Sequence, residues 1–128
     1  MKKVVVGIQN SLLAEAIIRI LHDSGEFWSV RCSDSRGNDV VKECQAFLGD
    51  VLLMDVSYAK ETNMNARLQV CEQVRKIRPE CKIALICDEN SFPEIAQEVT
   101  FAKKRGMIDA FFYSSVSGTY LTAILDTL

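Results

Sequence analysis

Short apolar runs alternate along the chain with longer segments in which apolar residues recur at helical spacing. Brief runs rich in Val and Ile and bounded by turn residues are typical of strands. Strand and helix patterns alternate from end to end, which predicts a (βα)₅ domain with a parallel sheet and helices on both faces. The predicted strands are residues 4–8, 27–32, 51–56, 82–87 and 108–113.

The first predicted helix shows the amphipathic pattern most clearly. Asn10 or Ser11 can cap its first turn, and Gly25 ends it. Its apolar residues fall on one helical face, and polar residues, among them His22, occupy the other. The predicted apolar face consists of Leu12, Leu13, Ala16, Ile17, Ile20 and Leu21.

Turn and capping residues bound the other four predicted helices. Polar, turn-like segments at 33–38 and 57–65 precede the second and third helices. Their apolar stripes are Val40, Val41, Cys44, Phe47 and Leu48 in the second helix, and Leu68, Cys71, Val74 and Ile77 in the third. The boundary residues are Gly49 after the second helix, Pro79 after the third, Pro93 and Gly106 around the fourth, and Ser115 or Ser117 before the fifth.

Composition narrows the class of protein. The 128 residues form one domain at 1–128, either complete or the N-terminal part of a longer chain. A net charge of −2 argues against direct binding of nucleic acid, and no apolar run is long enough to span a membrane. Five cysteines without a C-x-x-C pair, together with one histidine, argue against zinc and a disulfide framework. Reduced thiols in a cytoplasmic protein are the expectation.

The common motifs for nucleotide binding and catalysis are absent. The segment after the first strand, Gly7-Ile8-Gln9-Asn10-Ser11, has one glycine where a dinucleotide-binding turn needs three. Neither a P-loop nor a G-x-S-x-G elbow occurs, and His22 is expected to be a solvated surface residue. The basic run at 103–105 complements the dipole of the fourth helix or forms part of a docking face. The domain is therefore not expected to be an enzyme.

Asp55 is the candidate functional residue that the pattern itself identifies. It ends the buried strand Asp50-Val51-Leu52-Leu53-Met54-Asp55. In an open α/β sheet, ligands bind outside the carboxyl ends of the strands. Asp55 is therefore expected to present its carboxylate at the ligand-binding edge of the sheet.

Several strings resemble the receiver domain of two-component response regulators. Residues 49–55 resemble the segment P-D-[LV]-[LV]-[LV]-[LM]-D, which places Asp55 at the phosphoacceptor position. Residues 82–87 resemble the strand that ends in Thr or Ser, and residues 108–113 resemble A-D-G-[YF]-[LI]-[LV] before a lysine. The resemblance covers essentially the whole chain. It implies a flavodoxin-like (βα)₅ fold with a doubly wound parallel sheet of strand order 2-1-3-4-5.

The chain departs from the receiver pattern where the chemistry occurs. Receivers carry two acidic residues after the first strand, and the matching positions here are Ile8 and Gln9, or Gln9 and Asn10. Cys87 stands at the Thr or Ser position, and Ser114 stands at the lysine position. Mg²⁺ prefers carboxylate and water ligands, so Asp55 is the only expected metal ligand and no metal site is predicted.

These departures leave alternatives open for individual residues. Asp55 is either a residual phosphoacceptor or a structural aspartate hydrogen-bonded by Gln9, Asn10 or backbone amides. The predicted pocket of Gln9, Asn10, Cys87, Asp88 and Ser114 could hold a water, or a weak Mg²⁺ between Asp55 and Asp88. Cys87 is expected to be a buried strand-end residue rather than a redox sensor. Phe111 matches the receiver's aromatic switch position, with ordinary packing on the sheet as the alternative.

Three functional hypotheses follow. The leading one is an atypical receiver-like signalling domain, a regulatory module with a degenerate acidic pocket. It would dimerise or hold a fused effector domain through helix four, strand five and helix five. The second is a conventional receiver, phosphorylated on Asp55 in a histidine-kinase phosphorelay. The third and most remote is a small flavodoxin-like enzyme.

Overall fold

Strands and helices alternate in the computed structural model, which describes residues 1–34 and 36–128. Ser35, within the predicted turn at 33–38, lies outside the described residues. The strands are β1 Lys2–Gly7, β2 Phe27–Arg31, β3 Val51–Asp55, β4 Lys82–Cys87 and β5 Ala110–Tyr113. The helices are α1 Ser11–Ser24, α2 Gly37–Phe47, α3 Met64–Ile77, α4 Pro93–Lys104 and α5 Gly118–Thr127.

The strands form one parallel sheet in the order β2-β1-β3-β4-β5, as predicted. This is the flavodoxin-like arrangement. The strand order reverses beside β1, because β2 lies on one side of it and β3 on the other. A reversal of this kind opens a crevice at the carboxyl ends of the strands. The crevice lies where β1 and β3 end, next to Asp55.

Two apolar cores cover the two faces of the sheet. Helices α2, α3 and α4 pack on one face, and α1 and α5 pack on the other. Because the middle strands contact both layers, residues 51–54 of β3 are fully buried. None of the helices in the described residues combines the length and the apolar character that crossing a bilayer requires.

The apolar face predicted for α1 is partly wrong. The buried residues of α1 are Ala14, Ile17 and Leu21, whereas Leu12 is 79% exposed and Ala16 is also exposed. The buried stripe follows the spacing i, i+3, i+7 from Ala14, which turns Leu12 toward solvent. The caps of α1 were predicted more accurately. Asn10 accepts a hydrogen bond from the Leu13 amide at 3.0 Å, and Gly25 ends the helix in a left-handed conformation.

Several predicted boundaries differ from the structure. Strand β1 covers Lys2–Gly7 rather than residues 4–8. Helix α2 ends at Phe47, two residues before the predicted end at Gly49, because its C-cap Leu48 takes the left-handed conformation (φ 57°). Strand β5 begins at Ala110 rather than at residue 108. Before it, the Asp109 carboxylate accepts a hydrogen bond from the Ile83 amide at 2.8 Å, so a side-chain contact precedes the regular ladder.

Candidate functional site

A cleft of about 570 Å³ lies at the carboxyl ends of the central strands. Each predicted site residue except the switch candidate Phe111 contributes to its lining. The strand ends and the loops that follow them bring together Gln9, Asn10, Asp55, Cys87, Asp88 and Ser114. The sequence-based prediction thus identified residues that are neighbours in space.

The Asp55 carboxylate is engaged by the buried side chain of Arg67. Arg67 Nη2 lies 2.8 Å from Asp55 Oδ1, and Arg67 Nε donates to the Asp55 carbonyl oxygen at 2.7 Å. The same Nη2 donates to the carbonyl oxygen of Gly7 at 3.2 Å. The Arg67 side chain is fully buried, and the Asp55 side chain is 15% exposed. One guanidinium therefore links α3 to the ends of β1 and β3.

Arg67 is the site residue that sequence reasoning missed. Asn63 caps α3 by accepting the Ala66 amide at 2.8 Å, so the helix begins before the predicted stripe. Arg67 then falls in phase with the buried Met64, Cys71 and Val74. A cation at a core position of an amphipathic helix was the available signal, because Arg is almost never fully buried unless it is paired.

Two opposing effects act on the pKa of Arg67. Burial lowers the pKa of Arg67, and the Asp55 carboxylate acts in the opposite direction. Arginine nevertheless stays protonated in proteins, so the pair is ionic. A buried ion pair persists when its geometry is good and additional hydrogen bonds satisfy it, as the two backbone carbonyls do here.

The β1–α1 loop supplies an amide to Asp55. The backbone N–H of Gln9 lies 3.2 Å from both carboxylate oxygens. Asn10 lines the same cleft, but its side-chain oxygen caps α1. Ile8 is buried in the core beneath α1 and α5. Of the two candidate pairs, Gln9 and Asn10 therefore line the cleft beside Asp55, and Ile8 does not.

Asp88 and Cys87 follow β4 at the rim of the cleft. The Asp88 carboxylate accepts hydrogen bonds from the amides of Asn90 and Ser91 and from the Ser91 hydroxyl, and these bonds lower its pKa. Cys87 is 2% exposed, and burial raises the pKa of its thiol to about 11. A buried, protonated thiol is unreactive, which supports the structural interpretation of Cys87.

Ser114, at the position where the receiver resemblance predicts a lysine, directs its hydroxyl toward the Glu89 carboxylate, and so does its neighbour Ser115. The Ser114 amide donates to the Cys87 carbonyl at 2.9 Å, which fixes the loop after β5. The hydroxyls of Ser114 and Ser115 lie 3.5 and 3.1 Å from the Glu89 carboxylate. Within residues 1–34 and 36–128, no group of three His, Cys, Asp or Glu side chains is placed to hold a metal ion.

Phe111 is half-buried on β5, opposite Leu85 of β4. It packs against the core beneath α2, α3 and α4, and its ring centroid lies 5.7 Å from that of Tyr113. Tyr113 is 39% exposed. The sheet-packing interpretation accounts for these contacts, and a switching role for Phe111 stays a prediction.

Comparison with known proteins shows which solved structures have a similar fold. No protein-family model and no curated protein sequence matches the chain. Among solved structures, a CheY-like protein (tadZ) from Pseudomonas aeruginosa is similar, with a TM-score of 0.73 at 13% identity over 99% of this chain and 98% of that one. A response regulator receiver domain protein from Clostridium thermocellum gives 0.72 at 14% identity, covering 99% and 93%. The chemotaxis protein CheY4 of Vibrio cholerae gives 0.71 at 21% identity, covering 99% and 98%. The chain has the fold of response-regulator receiver domains.

Proposed function

We propose that this domain is a phosphorylation-independent regulatory module that acts by binding other proteins. The observation that carries the proposal is the ion pair between Asp55 and the fully buried Arg67. The carboxylate that would attack a phosphoryl donor is already neutralised inside the protein. It links α3, β1 and β3 instead of standing free as a nucleophile.

The surroundings of Asp55 also disfavour phosphoryl transfer. That reaction depends on cations that neutralise charge developing on the phosphoryl oxygens. Gln9 and Asn10 replace the carboxylates that would hold Mg²⁺, and hydroxyls near Glu89 replace the lysine. Removing one electrostatic donor from a catalytic site typically costs about 10²–10³ in rate. Losing several should leave a very slow site.

One observation favours the second candidate, a receiver that accepts a phosphoryl group from a histidine kinase. The Asp55 side chain is 15% exposed and lines an open cleft, so a small phosphodonor can approach it. Arg67 would then supply one of the missing positive charges. To bind Mg²⁺ together with Asp55, the Asp88 carboxylate would have to give up hydrogen bonds that it accepts from Asn90 and Ser91 in its own loop.

The proposed binding surface is formed by α4, β5 and α5. It carries a shallow cleft of about 520 Å³, lined by Phe111, Tyr113, Tyr120 and Lys103 among others. Tyr120 is 57% exposed, and exposed aromatic side chains are enriched at protein interfaces. A second copy or a fused effector domain would bind there. Enzymatic activity is not part of the proposal.

Incubation with acetyl phosphate tests the proposal. With Mg²⁺ present, intact-mass spectrometry should detect no phosphoryl adduct on the native chain. The matched control is Asp55→Asn, which removes the only expected acceptor. An adduct on the native chain that is absent from Asp55→Asn would support the conventional receiver and overturn the proposal.

A rebuilt pocket provides the positive control. The combination Gln9→Asp, Asn10→Asp and Ser114→Lys restores carboxylates and a cation at positions that line the cleft. Aspartate remains a good N-cap residue at position 10. Labelling of this variant, lost again with Asp55→Asn, would show that the absent charges had prevented the reaction. Failure to label would instead identify the Arg67 ion pair as sufficient to block it, which a further Arg67→Met substitution would test.

A further inference from the structure

A second concave surface lies between α3 and α4, away from the Asp55 carboxylate. This α3–α4 groove has a volume of about 850 Å³. Its floor is apolar and buried, formed by Met64, Ile95 and Ala102. Its rim exposes large side chains, with Tyr58 at 53%, Phe101 at 57% and Met107 at 41%. An exposed apolar patch with polar neighbours is typical of an interaction site.

The exposed stripe of α4 beside this groove has an ordered charge pattern. Glu94, Glu98, Phe101 and Arg105 follow the spacing i, i+4, i+7, i+11, which places them on one face of the helix. Glu94 and Glu98 are the charged residues of the groove lining. The N-terminal half of the stripe is therefore acidic and its C-terminal end is basic, with Lys104 adjacent. Phe101 lies between the two charges.

We propose that two copies of this chain pair through the stripe, with their α4 helices antiparallel. A twofold axis near the middle of α4 would place Glu94 opposite the partner's Arg105 and Glu98 beside the partner's Phe101. Each Phe101 ring would then enter the other copy's α3–α4 groove. Antiparallel symmetry makes the pattern complementary to itself, as an isologous interface requires.

The choice of a second copy over another protein rests on that charge order. An unrelated partner would need a basic and apolar segment of matching length, whereas the chain itself already presents one. Charge placement along α4 also complements the helix dipole, which explains acidic first turns and basic last turns in general. The dipole does not explain why Phe101, Tyr58 and Met107 are exposed around one groove.

The rim side chains are already held in place. The Tyr58 hydroxyl donates to the Glu94 carboxylate, and its ring packs edge-on against Phe92 at 4.7 Å. The Arg105 guanidinium carbon lies 4.9 Å from the centroid of the Phe101 ring. Pre-ordered side chains lose less conformational entropy on association, which favours binding.

This inference does not depend on the proposed function. The α3–α4 groove and the cleft on β5 and α5 (the β5–α5 surface) have no lining residue in common, and Lys103 is the one α4 residue that lines the β5–α5 surface. Dimers formed through the groove would leave β5 and α5 open to an effector. The pairing can therefore fail while the phosphorylation-independent role stands, and the reverse also holds.

Sedimentation equilibrium of the native chain is the first test. The interface is small, so we expect reversible dimers with a dissociation constant on the order of 10–100 µM. Phe101→Ser should weaken the dimer by about tenfold or more, while the exposed position keeps the fold intact. A native chain that stays monomeric at about 0.5 mM, well above that range, would overturn the proposal.

Charge reversal provides the sharper test. The double variant Glu94→Lys, Glu98→Lys should abolish self-association, because its new lysines would face the partner's basic residues. The double variant Lys104→Glu, Arg105→Glu should also abolish it, because its new glutamates would face the partner's acidic residues. An equimolar mixture of the two variants should form a heterodimer. Glu15→Lys, an exposed change on α1, is the control and should leave the dimer unchanged. Dimers that survive both reversals but are lost with Tyr120→Ser would use the β5–α5 surface, and the proposal would be wrong.

Discussion

At the scale of single residues, the ion pair between Asp55 and Arg67 joins α3 to the ends of β1 and β3 at the floor of the cleft. The end of a buried strand identifies a side chain at the ligand-binding edge of the sheet. Gln9, Asn10, Cys87, Asp88 and Ser114, which follow three other strand ends, were identified through the resemblance to receiver domains. Arg67 comes from the first turn of α3 and follows no such rule. Its contact with Asp55 depends on the rotation of α3 against the sheet.

The first prediction concerns the stability that the ion pair provides. Arg67→Met should lower the free energy of unfolding by about 3 kcal/mol or more, because it leaves the Asp55 charge uncompensated in a mostly buried position. It also removes a donor from the carbonyl oxygens of Gly7 and Asp55. Urea unfolding followed by circular dichroism measures the loss.

A double-mutant cycle separates the pair from its surroundings. Asp55→Asn should also destabilise the native chain, since it leaves the Arg67 charge buried without a counter-ion. In the Arg67→Met background, the same change should be less destabilising by about 1 kcal/mol or more. Asp88→Asn is the control, because Asp88 bonds only within its own loop among the contacts described. If the effects of Asp55→Asn and Arg67→Met on the free energy of unfolding were additive, the ion pair would not have the structural role inferred for it.

At the scale of elements, the order of strands and helices follows from hydrophobic periodicity, and several boundaries follow from capping. Asn10, Gly25 and Ser117 act as the sequence indicates. Gly49 was predicted to end α2, but the left-handed cap is Leu48. A Cβ atom at position 49 would lie 2.9 Å from Val5 Cγ2, so glycine there allows the close approach to β1. A sequence alone does not distinguish these two reasons for glycine.

The second prediction is that Leu48→Gly stabilises the domain. Leu48 ends α2 with φ 57° and ψ 50°, a conformation that costs a residue with a Cβ about 1–2 kcal/mol. Its side chain is 53% exposed, so little apolar burial is lost. Glycine also makes the unfolded chain more flexible, which offsets part of this gain. We therefore expect the free energy of unfolding, measured by urea denaturation, to rise by about 0.5–1 kcal/mol.

The adjacent glycine gives the contrasting control. Gly49→Ala should destabilise, because the new methyl group would collide with Val5 in the centre of the sheet. If Leu48→Gly also lowered stability, the left-handed turn would not be the strained point of α2.

At the scale of the whole molecule, the parallel sheet and its two helical layers bury every cysteine. The five thiols are free, and each is at most 6% exposed. Their number and the lack of C-x-x-C spacing could be read from the sequence. The burial of Cys44, Cys71 and Cys87 was also predicted, from the helix stripes and the strand end. The burial of Cys32 and Cys81 was not, because it depends on how the helices cover the ends of the strands.

The last prediction is that the domain loses stability at alkaline pH through these thiols. Burial raises the pKa of Cys32 and Cys71 from 9.0 to about 12, and that of Cys87 to about 11. Below pH 9 the folded and unfolded states both keep these protons, so the thiols have no pH-dependent effect. Between pH 9 and 10 the unfolded thiols ionise while the folded ones keep their protons, and this favours unfolding. Each thiol should cost about 1 kcal/mol on going from pH 8 to pH 10. Urea unfolding at the two pH values measures the loss, and Cys71→Val should reduce it by one thiol's share while lysine and tyrosine titration stays the same. An equal loss in Cys71→Val would show that its burial does not govern the alkaline transition.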